Sequence, residues 1–296
     1  MTTNPRDLVT MKDRVAIVTG AGRGIGRATA LKLAQMGAAV VVNDTGGSLA
    51  GTGVDTGTAE QVAKEIERGG GRALANADSV ADWDSAKRII DAAVTTFGRL
   101  DVLVNNAGNV ASCPIWQMDR ETFEAVVRVH LFGTFNCTRH AVPHMLSQKY
   151  GRIVNVISRA GMVGAAGAAA YGAGKGGIFG FSNAIARDLV NSGINVNAFN
   201  PAATMTRMIT EGTTPEMAAR MRVLAQEPEH VAAVAAYLAS EACNFSGQSF
   251  LVQAGAVGPF PPFAPLKTAF KDGLWTPEEL AAVMPRFEFP VLKDLY

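Results

Sequence analysis

The sequence predicts an α/β protein: a single doubly wound domain on a seven-stranded parallel sheet with helices on both faces. Two observations carry the prediction. Short apolar runs rich in Val, Ile and Ala alternate with longer segments whose apolar residues recur at helical spacing. A glycine-rich turn follows the first apolar run and opens the first helical segment. Such alternation builds right-handed crossovers and a Rossmann-type fold, whose ligands bind beyond the carboxyl ends of the strands.

The predicted strands are short and mainly apolar, as expected for strands that are covered on both faces of a parallel sheet. They lie within the runs 14–20, 38–44, 72–78, 100–108, 151–158, 194–200 and 249–255. Predicted helices lie between them, at residues 25–36, 58–68, 83–97, 121–146, 171–190 and 229–239. The residues that follow each strand are therefore the first place to look for function.

Three stretches interrupt the alternation. The first is a glycine-rich insert, residues 45–57, directly after the second strand, and the second is an irregular loop, residues 201–215, after the sixth. Loops at this edge usually shape a site. The third is a tail: residues 1–257 are predicted to form the domain and residues 258–296 the tail, which is a candidate cover for the ligand site or a neighbouring subunit. Within it, the start signal TPEE at 276–279 predicts a short helix.

The composition favours a protein that acts on a small molecule. Basic residues number 27 and acidic residues 26, so nothing in the charge marks a nucleic-acid partner or an anionic membrane surface. The N-terminal residues 1–11 have no apolar run, and the long uncharged stretch at 161–181 is interrupted by glycines and one lysine, so no membrane segment is expected. Three cysteines without CxxC spacing suit a reducing compartment. We therefore expect a cytoplasmic protein.

The turn TGAGRGIG, residues 19–26, lies between the first strand and the first helix. In this context, glycines allow close approach of the backbone to a pyrophosphate, whose charge is held by the free N–H groups and positive end of the helix. The spacing Gly-xxx-Gly-x-Gly resembles the short-chain dehydrogenase/reductase family. The resemblance implies cofactor contacts from Gly20, Arg23, Gly24, Ile25 and Gly26.

The second strand ends at Asp44, where the adenosine ribose of a dinucleotide would lie. A carboxylate there accepts hydrogen bonds from both ribose hydroxyls and repels a 2′-phosphate, so NAD is the expected cofactor rather than NADP. After the third strand, Asp78 and Ser79 occupy the positions at which the family contacts the adenine edge.

Two further patterns match the family far from the glycine loop. The turn NNAG follows the fourth strand, and the resemblance implies that it steadies the sheet and lines the nicotinamide side with Asn106, Ala107 and Gly108. Ser158 follows the fifth strand, and Tyr171 and Lys175 come thirteen and seventeen residues later. These three match the catalytic Ser, Tyr and Lys of the family.

The spacing of Tyr171 and Lys175 places the phenol and the ammonium on one helix face. An unperturbed tyrosine has a pKa near ~10 and needs help to act as a base at neutral pH. Nearby cations, Lys175 and the positive nicotinamide, favour the phenolate. The resemblance implies that Tyr171 exchanges the hydroxyl proton, that Ser158 holds the substrate oxygen, and that Tyr171 and Lys175 also contact the cofactor.

Some positions depart from the family pattern. The fourth catalytic member is commonly an asparagine at a kink that holds a relay water, and His130 stands there instead. An imidazole that carries protons should add an ionisation near pKa ~6.5 to turnover, whereas a packing residue should not. Pro201-Ala202 replaces the commoner Pro-Gly, ahead of Thr204 and Thr206 in the loop that usually meets the carboxamide, and Ala-Gly replaces Gly-Gly at 254–255.

The substrate is less determined. The segments NDTGG and RVHL, together with the insert, resemble the (3R)-hydroxyacyl-CoA dehydrogenase branch of peroxisomal multifunctional enzymes and their bacterial relatives. A small-molecule substrate such as an acyl-CoA or a sterol-derived thioester is therefore expected. A 3-oxoacyl reductase, a hydroxysteroid dehydrogenase and a non-catalytic dinucleotide-binding relative are the alternatives. The family implies a homodimer or homotetramer, and His140 with His144 lacks the third ligand that a metal site would need.

Overall fold

The sheet of the computed structural model has eight strands in the order β3-β2-β1-β4-β5-β6-β7-β8. The structure describes residues 9–211, 225–260, 269, 271–272, 274 and 276–286. The strands are β1 Val15–Thr19, β2 Ala39–Asn43, β3 Arg72–Asn76, β4 Val102–Asn105, β5 Gly151–Val156, β6 Ile194–Pro201, β7 Ser249–Gln253 and β8 Ala256–Pro259. The order reverses between β1 and β4, which is the switch point where such sheets bind their ligands. The predicted doubly wound α/β fold is confirmed.

Helices flank the sheet on both faces. They are α1 Gly24–Gln35, α2 Gly57–Arg68, α3 Trp83–Phe97, α4 Arg120–Val127, α5 Gly133–Gln148, α6 Ala160–Val163, α7 Ala169–Asp188, α8 Arg207–Thr210, α9 Pro228–Ala239 and α10 Pro277–Val283. Apolar residues of each strand point alternately to the two faces: Val18 and Val40 join one buried cluster, and Ile17 and Val41 join the other. No helix in the described parts of the chain is long and apolar enough to cross a membrane.

Strand β8 is not predicted by the sequence. The seven predicted strands are all parallel, but β8 returns antiparallel to β7 through a two-residue turn at Ala254 and Gly255. Both turn residues have positive φ, 42° and 90°. A tight hairpin of this kind is usually marked by Asn-Gly or Asp-Gly, and alanine rarely adopts positive φ, so the sequence carried no hairpin signal.

The predicted helix at 121–146 is also corrected. It is divided into α4 and α5 by a π-helical segment, Arg128–Phe132, which contains His130. A π turn accommodates one extra residue and widens the helix locally, and such turns are frequent at functional sites. Apolar periodicity does not reveal it, because the flanking turns remain helical.

The chain divides into two compact units, Met1–Pro259 and Phe260–Tyr296. The first unit includes β8, because that strand pairs with β7 in the sheet. In the second unit, α10 starts where the sequence predicts, with a capping box between Thr276 and Glu279. The function of the tail stays a prediction.

Candidate active site

The glycine-rich turn connects β1 to the N-terminus of α1. Gly20 has a φ of +64°, and a Cβ there would lie 2.8 Å from Ala107 Cα. A Cβ at Gly26 would lie 2.1 Å from the Gly20 carbonyl oxygen. Helix α1 has no side-chain cap and no acidic residue in its first turn. Its N–H groups and positive dipole end thus suit a pyrophosphate, and the residues present fit a dinucleotide.

Asp44 follows β2 and directly contacts the glycine-rich turn at residues 19–26, which we call the phosphate loop. Its Oδ2 accepts a hydrogen bond from the Gly22 N–H at 2.8 Å, and its Oδ1 accepts one from the Gly46 N–H at 2.7 Å. The carboxylate therefore lies between the glycine-rich turn and the insert. Arg23, which precedes α1, turns its guanidinium to Thr58 Oγ1 at 3.1 Å.

Asp78 and Ser79 lie just beyond β3, at the same sheet edge. The Asp78 carboxylate pairs with Arg88, whose Nε donates to Oδ1 at 2.7 Å. The Ser79 hydroxyl accepts a hydrogen bond from the Ala81 N–H at 3.2 Å. Both side chains thus have protein partners at the predicted adenine end of the site.

The NNAG turn joins the ends of three neighbouring strands. Asn105 Nδ2 donates to Asn155 Oδ1 on β5 at 2.9 Å. Asn106 Nδ2 donates to the Thr19 carbonyl oxygen on β1 at 2.8 Å, and the Ala107 N–H donates to Thr19 Oγ1 at 3.0 Å. These bonds hold the carboxyl ends of β1, β4 and β5 together and place the turn beside the phosphate loop.

The Ser, Tyr and Lys side chains come from two elements that meet at this edge. Ser158 follows β5, while Tyr171 and Lys175 lie one turn apart on α7. The Ser158 hydroxyl accepts a hydrogen bond from the Ala160 N–H at 3.2 Å and lies near enough to the Tyr171 phenol to lower its pKa. Lys175 is 3% exposed, and its Nζ donates to the Val156 carbonyl oxygen at 2.6 Å and lies 5.9 Å from the centre of the Tyr171 ring.

The electrostatics of this group are set by burial. Burial raises the pKa of Tyr171, and the nearby Ser158 hydroxyl offsets part of that rise. Burial lowers the pKa of Lys175 to about 7. The lysine thus exchanges its proton near neutral pH, and its charged form favours the phenolate beside it.

His130 lies in the π segment and packs against Tyr171. The two rings meet edge to face with centroids 5.2 Å apart. A Cβ at Gly108 would lie 2.4 Å from His130 Cε1, so the last glycine of the NNAG turn leaves room for the imidazole. Burial and the charge of Lys175 lower the pKa of His130 from 6.5 to about 3. The imidazole is therefore neutral at physiological pH.

The loop after β6 folds over the phosphate loop. Pro201 ends the strand, and the buried Thr204 donates from Oγ1 to the Ala202 carbonyl oxygen at 2.9 Å. Thr206 continues across the turn, and a Cβ at Gly24 would lie 3.0 Å from its methyl group. Thr206 is thus placed at the start of α1, as a cofactor-contacting residue would be.

Two residues that the sequence did not single out, Asn109 and Arg207, also lie at this edge of the sheet. The insert approaches the loop after β4, where the Val110 N–H donates to the Leu49 carbonyl oxygen at 3.0 Å. Arg207 Nη2 donates to the Gly47 carbonyl oxygen at 3.3 Å, and Asn109 also contacts the insert. A polar residue directly after NNAG was the available signal for Asn109, whereas no pattern marks Arg207.

The phosphate loop and the phenol–ammonium pair share one edge of the sheet. The fold and the site therefore define the class of dinucleotide-dependent oxidoreductases. Within that class, the chain belongs to the short-chain dehydrogenase/reductase family, because the family model described as short chain dehydrogenase matches residues 14–217. Members of this family are NAD(P)-dependent enzymes that act on CH–OH groups.

Known relatives agree with this assignment. The chain is 42% identical over 247 residues to a short-chain type dehydrogenase/reductase of Mycobacterium tuberculosis, covering 83% of this chain and 84% of the relative. It is 42% identical over 245 residues to peroxisomal multifunctional enzyme type 2 of Mus musculus, covering 83% of this chain but 32% of that longer protein. A solved 7α-hydroxysteroid dehydrogenase, in complex with NADH and 7-oxo glycochenodeoxycholic acid, superposes with a TM-score of 0.78 at 28% identity, covering 86% of this chain and 98% of that one.

Among the described residues, no group of three or more His, Cys, Asp or Glu side chains is arranged to hold a metal ion. His140, which sequence spacing pairs with His144, instead hydrogen-bonds through Nε2 to the Trp83 carbonyl oxygen at 3.2 Å.

Proposed function

We propose that the protein is an NAD-dependent oxidoreductase that interconverts a secondary alcohol and a ketone, with Tyr171 as the acid/base. The observation that carries the proposal is the buried Lys175, one turn further along α7, with its Nζ 5.9 Å from the centre of the Tyr171 ring, together with Ser158 near the phenol. A phenol in that setting has both an orienting hydroxyl and an adjacent cation, which is what proton exchange at neutral pH requires.

Each side chain then has a distinct task. Hydride transfer at the substrate carbon would be the chemistry that the nicotinamide supplies when it is bound. Ser158 hydrogen-bonds the substrate oxygen and orients it toward the phenol. Tyr171 removes the hydroxyl proton in oxidation and returns it in reduction. Lys175 stabilises the phenolate and holds the nicotinamide ribose.

We propose NAD rather than NADP because Asp44 lies at the ribose end of the phosphate loop. Asp44→Ala should lower the ratio of kcat/KM for NAD to that for NADP by about 10-fold or more, since a hydrogen bond to a charged group is worth about 1.5–3 kcal/mol. Steady-state kinetics with both cofactors measures this ratio. Asp44→Asn is the matched control for volume: it keeps an acceptor for the loop N–H groups but loses the charge, so selectivity should fall there too. An unchanged ratio in both variants would count against this role.

We propose that His130 takes the relay position as a neutral group. Because its pKa is lowered to about 3, turnover of the wild-type protein should show no imidazole ionisation. His130→Asn should keep most of the turnover, and His130→Leu should reduce it with little loss of NAD affinity, since leucine can hold neither water nor proton. Turnover against pH under saturating NAD and substrate measures both effects. A leucine variant with wild-type turnover would make His130 a packing residue.

The same pKa shift predicts a stability effect. The unfolded imidazole takes up a proton below its usual pKa of 6.5, whereas the folded one does so only near 3. The free energy of unfolding should therefore fall as pH decreases from 6.5 toward 3. His130→Asn should reduce the slope of this free energy against pH by the equivalent of about one bound proton. Urea unfolding at several pH values measures the slope.

A 3-hydroxyacyl-CoA or sterol-derived thioester is the proposed substrate. The similarity to peroxisomal multifunctional enzyme type 2 supports it, while the 7α-hydroxysteroid dehydrogenase supports a hydroxysteroid as the alternative. A 3-oxoacyl reductase is a further alternative. A turnover screen with NAD and NADP against 3-hydroxyacyl-CoA esters, 3-oxoacyl thioesters, hydroxysteroids and simple secondary alcohols separates these possibilities. NADH binding without turnover of any of them would favour the non-catalytic relative.

We also propose a homo-oligomer in the cytoplasm. Trp83, Phe132 and Phe135 are 44%, 52% and 40% exposed on α3, the π segment and α5, and a second copy packed there would bury them. Light scattering after gel filtration measures the oligomeric state. The free thiols of Cys113, Cys137 and Cys243 support a reducing compartment.

A further inference from the structure

Asn109, directly after the NNAG turn, joins three separate segments. It is 3% exposed. Its main-chain carbonyl oxygen lies 2.8 Å from His130 Nε2 in the π segment. Its side-chain amide donates to the Ala50 carbonyl oxygen in the insert at 3.3 Å and to the Ala125 carbonyl oxygen in α4 at 3.4 Å. One residue thus links the insert, the last turn of α4 and the imidazole.

The contact with His130 determines the tautomer of the ring. A carbonyl oxygen can only accept a hydrogen bond, so Nε2 carries the proton and Nδ1 has a free lone pair. Nδ1 is buried and has no hydrogen-bond partner among the described residues. Gly108 confines one edge of the ring, and a Cβ at Gly174 would lie 3.0 Å from His130 Cβ. The ring therefore has little freedom to rotate.

We propose that Asn109 is a positioning residue for proton transfer. It holds the His130 ring against Tyr171 with Nδ1 as the hydrogen-bond acceptor, and its side-chain bond to the insert makes this orientation depend on the insert. The inference rests on the proposed function. The amide of Asn109 bonds to the insert and to α4 rather than to the reacting groups, so it acts through the main chain that it fixes. A substitution in the insert that displaces this amide should therefore lower kcat.

Two glycines of the insert provide a matched test. Gly51 has a φ of +83°, and a Cβ there would lie 2.8 Å from Asn109 Nδ2. Gly53 has a φ of +81°, and a Cβ there would meet nothing within 4 Å. Alanine strains the backbone equally at both positions, but only Gly51→Ala displaces Asn109. We expect kcat to fall about 10-fold in Gly51→Ala, because small misplacements of catalytic groups are costly. It should change less than about 2-fold in Gly53→Ala, with the same KM for NAD in both variants.

A double-mutant cycle separates positioning from general destabilisation. Asn109→Ala should lower kcat by about 10-fold in the wild-type background but by less than about 2-fold in the His130→Asn background, because no imidazole remains to be oriented. Melting temperatures establish that each variant folds. Additive effects on kcat, or equal effects of the two glycine variants, would overturn the proposal.

A readout that does not depend on turnover completes the test. The chain has four histidines, and in ¹⁵N-histidine-labelled protein the His130→Asn variant identifies the signals of His130. We expect the wild-type ring to be protonated at Nε2 alone from about pH 5 to 8, and Asn109→Ala to shift the ring toward the other tautomer or to make it titrate. An unchanged ring in Asn109→Ala would refute the inference. If Asn109→Ala alters the ring but Tyr171→Phe keeps full turnover, the fault lies with the proposed function.

Discussion

Tyr171→Phe should lower kcat by at least ~10²-fold while NAD still binds, because the change removes the titrating hydroxyl and keeps the ring. Ser158, whose hydroxyl lies near this phenol, does not replace it: an aliphatic hydroxyl orients the substrate oxygen but is not acidic enough to exchange a proton with an alcohol. The phenyl ring of the variant would still pack edge-on against His130, so the fold should be unaffected. The rate is measured at saturating NAD with a substrate found by the screen.

Tyr150→Phe is the matched control for that experiment. Burial raises the pKa of Tyr150 as it does that of Tyr171, and the Tyr150 hydroxyl is buried without a hydrogen-bond partner among the described residues. Tyr150 directly precedes β5 and so lies at the amino ends of the strands, away from the candidate site. Loss of its hydroxyl should therefore leave kcat unchanged. Near-normal turnover in Tyr171→Phe, or an equal loss in both variants, would refute Tyr171 as the acid/base.

Lys175→Met should abolish most turnover and raise the melting temperature of the cofactor-free protein. The loss in kcat should again reach at least ~10²-fold, because the phenolate loses its neighbouring cation. The gain in stability follows from burial, which lowers the pKa of Lys175 to about 7 and so disfavours the ammonium in the folded state. An apolar side chain of similar length avoids that cost. Functional sites often trade stability for activity in this way.

The pH dependence of this stability gain has a definite sign. Below pH 7 the lysine is charged in both the folded and the unfolded protein, so the free-energy cost of burying the charge is fully present. As pH rises from 7 toward 10.5, the usual pKa of lysine, the folded protein loses the proton first and this cost disappears. The gain from Lys175→Met should therefore be largest below pH 7 and shrink at higher pH. Thermal unfolding at several pH values measures it. Lys32→Met, at an exposed position of α1, should change neither turnover nor this dependence, and a destabilised Lys175→Met protein would contradict the account.

Much of the candidate site was predictable because several of its residues follow strands. In a parallel sheet the carboxyl ends of all strands meet at one edge, so the glycine-rich turn, Asp44, the NNAG turn and Ser158 had to lie together once the strands were recognised. The spacing of Tyr171 and Lys175 then required one helix face. At the relay position the structure has a π segment, and the pKa of His130 there depends on burial that the sequence does not express.

The sequence by itself therefore determined the family, the fold and a set of candidate site residues, since these follow from local patterns and from strand order. Only the tertiary structure decided which atoms those residues contact. It placed a turn of positive φ at 254–255, widened a helix at His130, and brought the insert to Asn109 across 59 residues of chain. Each outcome depends on contacts between segments distant in sequence, where packing and hydrogen bonding outweigh local preference.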